Sequence, residues 1–539
     1  MYKKWFDNFQ KIFTSCRRIL GKETWGRVLA ALDEDSEPQE FHDILLSLKD
    51  AFDLPDFIVD LARLEWALYR TKEDNTSVHQ QYKTITVNPT LTLVPVSWKN
   101  LVSLIKGDTV KDSMISESSQ IQVMIWRHSK TDDLHIREAE DIDLLALKII
   151  IEQVDPREAA TIGNVNVGAI NTALNRAIAQ GILISPDSLI QRTSLSSLQT
   201  FGAFEHFITT DIFTLQWHIT QACDLHCKHC YDRSDRASMS YDTAIAVLDD
   251  FYGFCRQMHV KGQLTFTGGN PMLYPRFIDI YQTASDFGFG LAILGNPTPV
   301  EKIERLLDIA KPLFFQISLE GLAEYNDYIR GDGHFQRSLD FLDQLKQLNI
   351  FTMVMLTLNR DNLDQVLPLG SLLKDRADFF TFNRLSTVGE GAQLMMPQKE
   401  NFEAFIRKYE KMAGESPILG LKDNLINIIR REKGIEPFGG CTGYGCGAAF
   451  NFAALLPDGE VHACRKFPSP IGNILQTPLI DIYHSNLAYK YRSGSEACHD
   501  CSLAVVCRGC HAITYSHGLD VFKDRDPFCF VSEEIYGKR

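Results

Sequence analysis

Three cysteines stand at C-x3-C-x2-C spacing in the stretch Cys223-Asp-Leu-His-Cys227-Lys-His-Cys230-Tyr231, directly after the apolar run Phe213-Thr-Leu-Gln-Trp-His-Ile-Thr220. The run reads as a β-strand, so the fold must leave a strand end whose loop gathers three thiolates around one group. A [4Fe–4S] cluster held wholly by protein takes four thiolates. Three on one short loop leave one iron open to a small chelating ligand, as an open position on catalytic zinc is. A zinc loop is the competing reading, since Cys, His and Asp are all ordinary zinc ligands.

From about residue 211 strand-like runs recur at 213–220, 262–267, 290–294, 313–318, 350–357 and 378–384. Helical runs fill the gaps, for example Tyr241 to Phe254 with Ser240 as its N-cap. Six βα units predict an α/β fold, a partial (β/α)6 barrel of TIM type around a parallel sheet. Such barrels keep their chemistry at the C-terminal ends of the strands, which is where the three cysteines fall.

The 539-residue chain holds thirteen cysteines. Eight lie towards the C-terminus: Cys441, Cys446, Cys464, Cys498, Cys501, Cys507, Cys510 and Cys529. Eight thiolates fill two four-cysteine sites, and two structural zinc ribbons are one way to use them. Only Cys16 and Cys255 stand apart; Cys255 shares an apolar helix face with Phe251 and Phe254, the setting of a packing thiol. Without a signal-type apolar core, this cysteine usage predicts metal ligation in a reducing cytoplasm rather than disulfides.

The length predicts three or four domains. A formal net charge of -14 argues against nonspecific nucleic-acid binding. No apolar run approaches a membrane span, and the best, Leu144 to Ile151, is broken by Lys148. Neither nucleic acid nor membrane is expected as a partner. The first 22 residues carry six Lys and Arg with Trp5, Phe9, Ile12, Phe13, Cys16, Ile19 and Leu20 at helical spacing. They read as the amphipathic first helix of a folded domain in preference to a targeting or membrane-surface helix. Helical patterns continue to about residue 75. Thr84-Ile-Thr-Val87, Leu91-Thr-Leu-Val94 and Ile121-Gln-Val-Met-Ile-Trp126 then alternate as half-buried strands do. A helix from Ile142 to Gln153 stops near Asp155-Pro156, another runs from Val167 to Gln180 before Gly181, and Ile182-Leu-Ile184 is a short strand. Helix, turn, helix, strand suggests a winged-helix-like module. Its second helix offers only Arg176 as a base-reading cation, which favours a peptide over DNA.

The cysteine loop resembles the signature of the radical S-adenosylmethionine (SAM) enzymes. The resemblance implies that Cys223, Cys227 and Cys230 hold a [4Fe–4S] cluster, that SAM binds its open iron, and that reductive cleavage of SAM yields a 5′-deoxyadenosyl radical that abstracts a substrate hydrogen. Other stretches extend it. Tyr231 closes the signature. Thr267-Gly268-Gly269-Asn270-Pro271 stands where the family usually has Gly-Gly-Glu-Pro, so Asn270 keeps a carbonyl acceptor for the SAM amino group and loses the charge. Ser318 and Glu320 match ribose-contacting positions, Arg330 matches an arginine that can fork onto the SAM carboxylate, and Arg384 is a further cofactor contact.

The C-terminal cysteines resemble the SPASM domain of peptide-modifying radical SAM enzymes. Cys446, then Gly459-Glu-Val-His-Ala-Cys464, then Cys498-x2-Cys501-x5-Cys507, then Cys529 follow its pattern, while Cys507-Arg-Gly-Cys510 is one residue short. By position Cys441, Cys446, Cys464 and Cys510 would hold one auxiliary [4Fe–4S] cluster and Cys498, Cys501, Cys507 and Cys529 the other, three clusters in all. Full ligation suits electron transfer. Leu61-Ala-Arg-Leu-Glu-Trp66, Ile125-Trp126 and Asp155-Pro156-Arg-Glu-Ala-Ala160 also resemble partner subunits of peptide-modifying iron enzymes such as those of methanobactin biosynthesis.

The expected layout is a helical domain at 1–80, an α+β winged-helix-like peptide-recognition domain at 81–205, a radical SAM core at 206–432 and a SPASM domain at 433–539. The expected function is a cytoplasmic radical SAM/SPASM maturase of a ribosomally made precursor peptide, forming a Cys-derived heterocycle or thioether, reduced by flavodoxin or ferredoxin. Its layout, with Gly-Gly-Asn-Pro, resembles maturases of selenobiotic-type peptides. A sulfatase-type formylglycine maturase is an alternative, disfavoured by Arg465 where those relatives carry a basic aspartate. A non-catalytic metal-binding peptide scaffold is the other, disfavoured by the retained cysteine loop, Glu320 and Arg330.

Overall fold

A computed structural model describes residues 9–33, 36–77, 82–108, 115–192 and 202–532. Lys3, Lys4 and Trp5 of the expected first helix lie outside them. The chain divides into two compact units, Met1–Asp187 and Ser188–Arg539.

One antiparallel sheet separates two apolar cores in the first unit. The strands of this unit are β1 (Thr86–Val87), β2 (Thr92–Trp98), β3 (Glu117–Arg127), β4 (Leu134–Glu138) and β5 (Leu183–Ile184). The sheet runs β2-β3-β4, and β1 pairs with β5 apart from it. Successive side chains of a strand point to opposite faces. Val123 and Ile125 of β3 therefore join Phe9, Phe13, Phe41 and Leu61 on one side, while Met124 and Trp126 join Leu147, Ile170 and Leu174 on the other. Helices Thr14–Ala30, Phe41–Leu48 and Ile58–Glu73 serve the first core; Asp141–Ile151, Pro156–Gly163 and Val167–Ala179 serve the second. The expected boundary at 80/81 thus crosses a shared core. Asp155-Pro156, expected to stop a helix, also starts one: Asp155 accepts from the Arg157 N–H as N-cap, and proline suits the first helical position. Glu65 of the Leu61–Trp66 stretch is buried and accepts from the backbone N–H of Cys16 at 3.0 Å, tying two helices together.

The second unit is built on nine strands: β6 (Ile212–Thr220), β7 (Lys261–Gly268), β8 (Gly290–Leu294), β9 (Phe315–Ser318), β10 (Thr352–Leu358), β11 (Phe379–Arg384), β12 (Phe452–Leu455), β13 (Glu460–His462) and β14 (Pro470–Asn473). The first six are parallel neighbours in chain order. The sheet does not close from β11 to β6; β6 pairs instead with β12 in parallel, and β13 and β14 follow antiparallel. The barrel is open, and the cysteine-rich region extends its own sheet across the expected 432/433 boundary. Alternation sorts β6: Phe213 packs on Phe254 of helix Tyr241–Gln257 at 4.7 Å between ring centroids, while Thr214, Gln216 and His218 face an interior cavity of about 940 Å3. Ser240 caps that helix by accepting from the Thr243 N–H, as its sequence predicts, and the buried Cys255 sits in its apolar face. Among the described residues no helix is long and apolar enough to cross a membrane.

Candidate active site

The three-cysteine loop leaves β6 at its C-terminal end, and the Gly-Gly turn after β7 holds it there. Gly269 N–H donates to the Thr220 carbonyl and Asn270 N–H to the Ala222 carbonyl, both at 2.8 Å. A Cβ on Gly268 would sit 2.2 Å from the Thr220 oxygen, and one on Gly269 2.1 Å from the Ala222 oxygen. Only glycine permits this approach, and Gly268 also takes φ 135°.

Two polar side chains reach the thiols. Asn296, after β8, places Nδ2 3.7 Å from Cys223 Sγ and 2.6 Å from Asp224 Oδ1. Arg330, ending helix Ala323–Arg330, places Nη1 3.7 Å from Cys227 Sγ. Burial pushes all three thiols up, against which Arg330 lowers Cys227 and Arg233 lowers Cys230.

Glu320 stands behind Arg330 rather than on the cavity wall. Its Oε1 accepts from Arg330 Nε at 2.9 Å and Nη2 at 2.6 Å, and His229 Nε2 lies 3.3 Å from the same oxygen. Its Oε2 accepts from the Thr357 N–H at 2.8 Å. Burial would raise this carboxyl, yet His229 and Arg330 hold it well below the usual carboxylate range. Both oxygens are engaged, so Glu320 positions Arg330 instead of presenting an acceptor to a ribose. Ser318 and Arg330 do line the cavity, as do Tyr231, Gly268 and Gly269.

Two expected cofactor contacts are committed elsewhere. Asn270 is buried, caps the turn by accepting from the Met272 N–H at 3.2 Å, and donates to Asp224 Oδ1 at 3.2 Å. Its carbonyl oxygen thus already accepts one bond, and the residue is 3% exposed. Arg384 forks onto Asp526 at 3.0 and 2.6 Å and donates through Nε to Asp423 at 2.7 Å. All three nitrogens serve buried carboxylates, so Arg384 acts as an internal clamp at the place where it lines the cavity. Asp526 also accepts from the Cys510 N–H at 3.0 Å, which links the end of β11 to the cysteine cage.

The eight C-terminal thiols form two sets that interact within themselves. Cys446 feels Cys510 and Cys441, and Cys464 feels Cys510 and Cys446. Cys498 feels Cys501 and Cys529, and Cys507 feels Cys498, Cys501 and Cys529. Burial pushes Cys446 up to about 11, and Cys464 and Cys498 up to about 12. All thirteen thiols are free. Among the described residues no three candidate ligands converge on a single-ion site. Two crowded four-thiol sets are a donor set that fits an iron–sulfur group, which would offset the charge of the thiolates that hold it. The first set faces the same cavity as Cys223, Cys227 and Cys230; the second lines a separate small cleft beside Asp526.

Sequence reasoning missed Asp224 and Asn296. Gly295-Asn296-Pro297 directly after a strand is the kind of turn that could have drawn attention to Asn296.

An open parallel βα barrel with a three-thiol loop at its first strand end, continuous with a four-thiol cage, defines an iron–sulfur enzyme whose cavity lies between thiol sets. Residues 217–373 match the Radical SAM superfamily and residues 446–511 the SPASM iron–sulfur cluster-binding domain. The chain carries a radical SAM domain followed by a SPASM domain, which mark it as an enzyme. It is 25% identical over 337 residues to the AdoMet-dependent heme synthase of Methanosarcina barkeri, covering 58% of this chain and 95% of that protein. It is 26% identical over 332 residues to the antilisterial bacteriocin subtilosin biosynthesis protein AlbA of Bacillus subtilis, covering 57% and 71%. The crystal structure of Streptococcus suis SuiB bound to precursor peptide SuiA shares the fold at a TM-score of 0.50 and 15% identity, over 76% of this chain and 96% of that one.

Proposed function

We propose that this chain is a cytoplasmic radical SAM maturase that modifies a ribosomally made precursor peptide. Cys223, Cys227 and Cys230 would hold a [4Fe–4S] cluster that binds SAM, and the two four-thiol sets would hold two auxiliary [4Fe–4S] clusters. The observation that carries this reading is the shared cavity, lined by the three-thiol loop on one side and by Cys441, Cys446, Cys464 and Cys510 on the other. The bound cluster and SAM supply a hydrogen-abstracting radical. The chain's own residues do the rest. Arg330, oriented by Glu320, presents Nη1 on the cavity wall, where a guanidinium can bind the SAM carboxylate. Gly268 and Gly269 let the cofactor's end of the cavity come close to backbone. The first four-thiol set faces the substrate space and is placed to exchange an electron with it. Cys446 N–H donates to the Cys507 carbonyl at 3.1 Å, so the second set adjoins the first as a relay towards flavodoxin or ferredoxin.

The first unit is the peptide-recognition module. Support comes from its peptide-binding resemblance and from Ile151, Ile162 and Val165, apolar side chains 65%, 75% and 48% exposed at the ends of adjoining helices. The likeness to AlbA, named for subtilosin biosynthesis, and to SuiB, solved with a precursor peptide, supports a peptide substrate. Selenobiotic-type chemistry, a heterocycle or thioether, is the finer reading. Formylglycine formation fits less well: Arg465, where those relatives have aspartate, lines the cavity as a cation with Nη1 3.4 Å from Thr267 Oγ1.

Anaerobic reconstitution should load about twelve irons per chain. The reduced protein should release 5′-deoxyadenosine from SAM, and a small peptide encoded beside the gene should change mass. An iron-loaded protein that cleaves no SAM would sink the enzyme assignment; SAM cleavage with no change in any such peptide would sink the maturase.

A further inference from the structure

Two buried cations adjoin the first four-thiol set without facing a carboxylate. Arg192 is 5% exposed and Arg508 6%. Arg192 donates through Nη2 to the carbonyls of Tyr444 at 2.6 Å and Cys446 at 2.8 Å, and through Nη1 to that of Arg492 at 3.0 Å. Its guanidinium lies 3.9 Å from the Phe450 ring centroid, and its Nε has no partner. Arg508 donates to the carbonyls of Ala504 at 3.0 Å, Arg492 at 2.7 Å and Ser493 at 2.5 Å. These hydrogen bonds all go to main-chain oxygen; among the described residues neither arginine forms an ion pair with Asp or Glu. Arg384 shows the usual solution, a buried guanidinium answered by two carboxylates.

An unanswered buried charge is costly, and two side by side more so. Arg192 holds the main chain of Cys446, and Arg508 stands between Cys507 and Cys510, so both charges lie beside the thiol sets. Arg508 also sits in the Cys507-Arg-Gly-Cys510 loop, the one shortened against the SPASM pattern, at φ 60°. Such a conformation is uncommon outside glycine and is kept where the surroundings require it.

We propose that Arg192 and Arg508 are fixed counter-charges for the auxiliary clusters and raise the reduction potential of the one at Cys441, Cys446, Cys464 and Cys510. This rests on the cluster assignment above. The potential of such a cluster follows its net charge, hydrogen bonding and exposure. Reduction adds one negative charge, which a buried cation stabilises. The pair would make this cluster the better electron acceptor on the substrate side, a positioning of charge rather than a part in bond breaking.

The test is an EPR-monitored redox titration of the reconstituted full-length enzyme, with iron counted first. Wild type lacking any auxiliary-cluster signal would sink the cluster assignment itself, and the pair with it. With the signal present, Arg192→Met should lower that cluster's midpoint by at least a tenfold change in the reduction equilibrium, 59 mV for one electron. Arg192→Lys loses the same forked contacts and keeps the charge, so it should stay near wild type. If Arg192→Met fails to load iron while Arg192→Lys loads it, the charge is again what the clusters need. Equal behaviour of the two variants, in midpoint or in iron content, overturns the proposal in favour of a purely structural role.

Discussion

The loop at Cys223, Cys227 and Cys230 and the cage between Cys441 and Cys529 are both thiol sites on one continuous sheet, yet they are built in opposite ways. In the loop, Cys223 is exposed, Cys227 and Cys230 are half-buried, and two polar groups that reach the sulfurs, Asn296 Nδ2 and Arg330 Nη1, come from a turn after β8 and from the end of helix Ala323–Arg330. In the cage each set has a full complement of four thiols, and its cations are turned onto main-chain carbonyls. A site that must bind and release a ligand needs an unfilled position and donors aimed at it. A site that only holds charge needs complete ligation and a fixed field. The same residue type thus serves two purposes, and what separates them is the number of thiols and the direction of the neighbouring cations.

The largest expected effect tests that division directly. Replacing Cys223, Cys227 and Cys230 with Ala should remove about four irons and abolish SAM cleavage. Replacing Cys498, Cys501 and Cys507 with Ala should remove a similar share of iron, leave SAM cleavage measurable and stop peptide turnover. Iron analysis and 5′-deoxyadenosine release distinguish the two; SAM cleavage that survives the first change, or dies with the second, erases the contrast between open and closed sites.

A smaller effect sharpens the open side. Arg330→Ala should weaken SAM binding roughly ten- to a hundredfold, since a hydrogen bond to a charged group is worth about 1.5–3 kcal/mol. Arg330→Lys keeps the charge without the fork and should fall between. Because Glu320 is held below the usual carboxylate range, the Glu320–Arg330 pair stays charged from neutral into mildly acidic solution, and the loss should be similar at pH 8 and pH 6. SAM titrations settle it: equal dissociation constants for wild type and Arg330→Ala would make Arg330 an internal ion pair only.

Much of this was legible because it is local. The six parallel strands follow from apolar runs and turn residues, and the cysteine spacings mark the three-thiol loop and the cysteine-rich end, whose division into two sets is what the SPASM resemblance implies. What escaped reading depends on who meets whom across the fold. β12 and β13 have four and three residues, too short for periodicity, and nothing in them announces pairing with β6 some 240 residues earlier. Glu320 and Arg330 were each legible as polar groups in the segment after β9, but not that they would clasp each other. Asn270 offered a carbonyl on paper; its partner Asp224 lies 46 residues away. Arg384 was an isolated cation until Asp423 and Asp526 were brought to it. Charge pairing among distant residues has no sequence period, so it is the part of a site that composition and spacing leave open.

The smallest effect concerns the wall between the two thiol regions. His218 lies on β6, lines the cavity, and meets Tyr231 edge to face at 6.0 Å between ring centroids. It is 3% exposed and its Nε2 has no partner. Burial, with Arg465 adding, lowers it to about 3 from 6.5. The unfolded chain therefore binds a proton near pH 6.5 that the folded chain refuses until near pH 3. Between those values the unfolded state holds more protons, so stability falls as the pH is lowered, by at most about 1.4 kcal/mol per pH unit from this group. Gln at 218 does not titrate and keeps a polar side chain of similar reach. The stability of His218→Gln relative to wild type should accordingly rise by about 2 kcal/mol between pH 7 and pH 5, whatever the offset at pH 7. Denaturant titrations of both proteins at the two pH values measure it. Parallel losses would mean that His218 is protonated in the folded cavity, and that the wall joining the open loop to the closed cage carries a positive charge there.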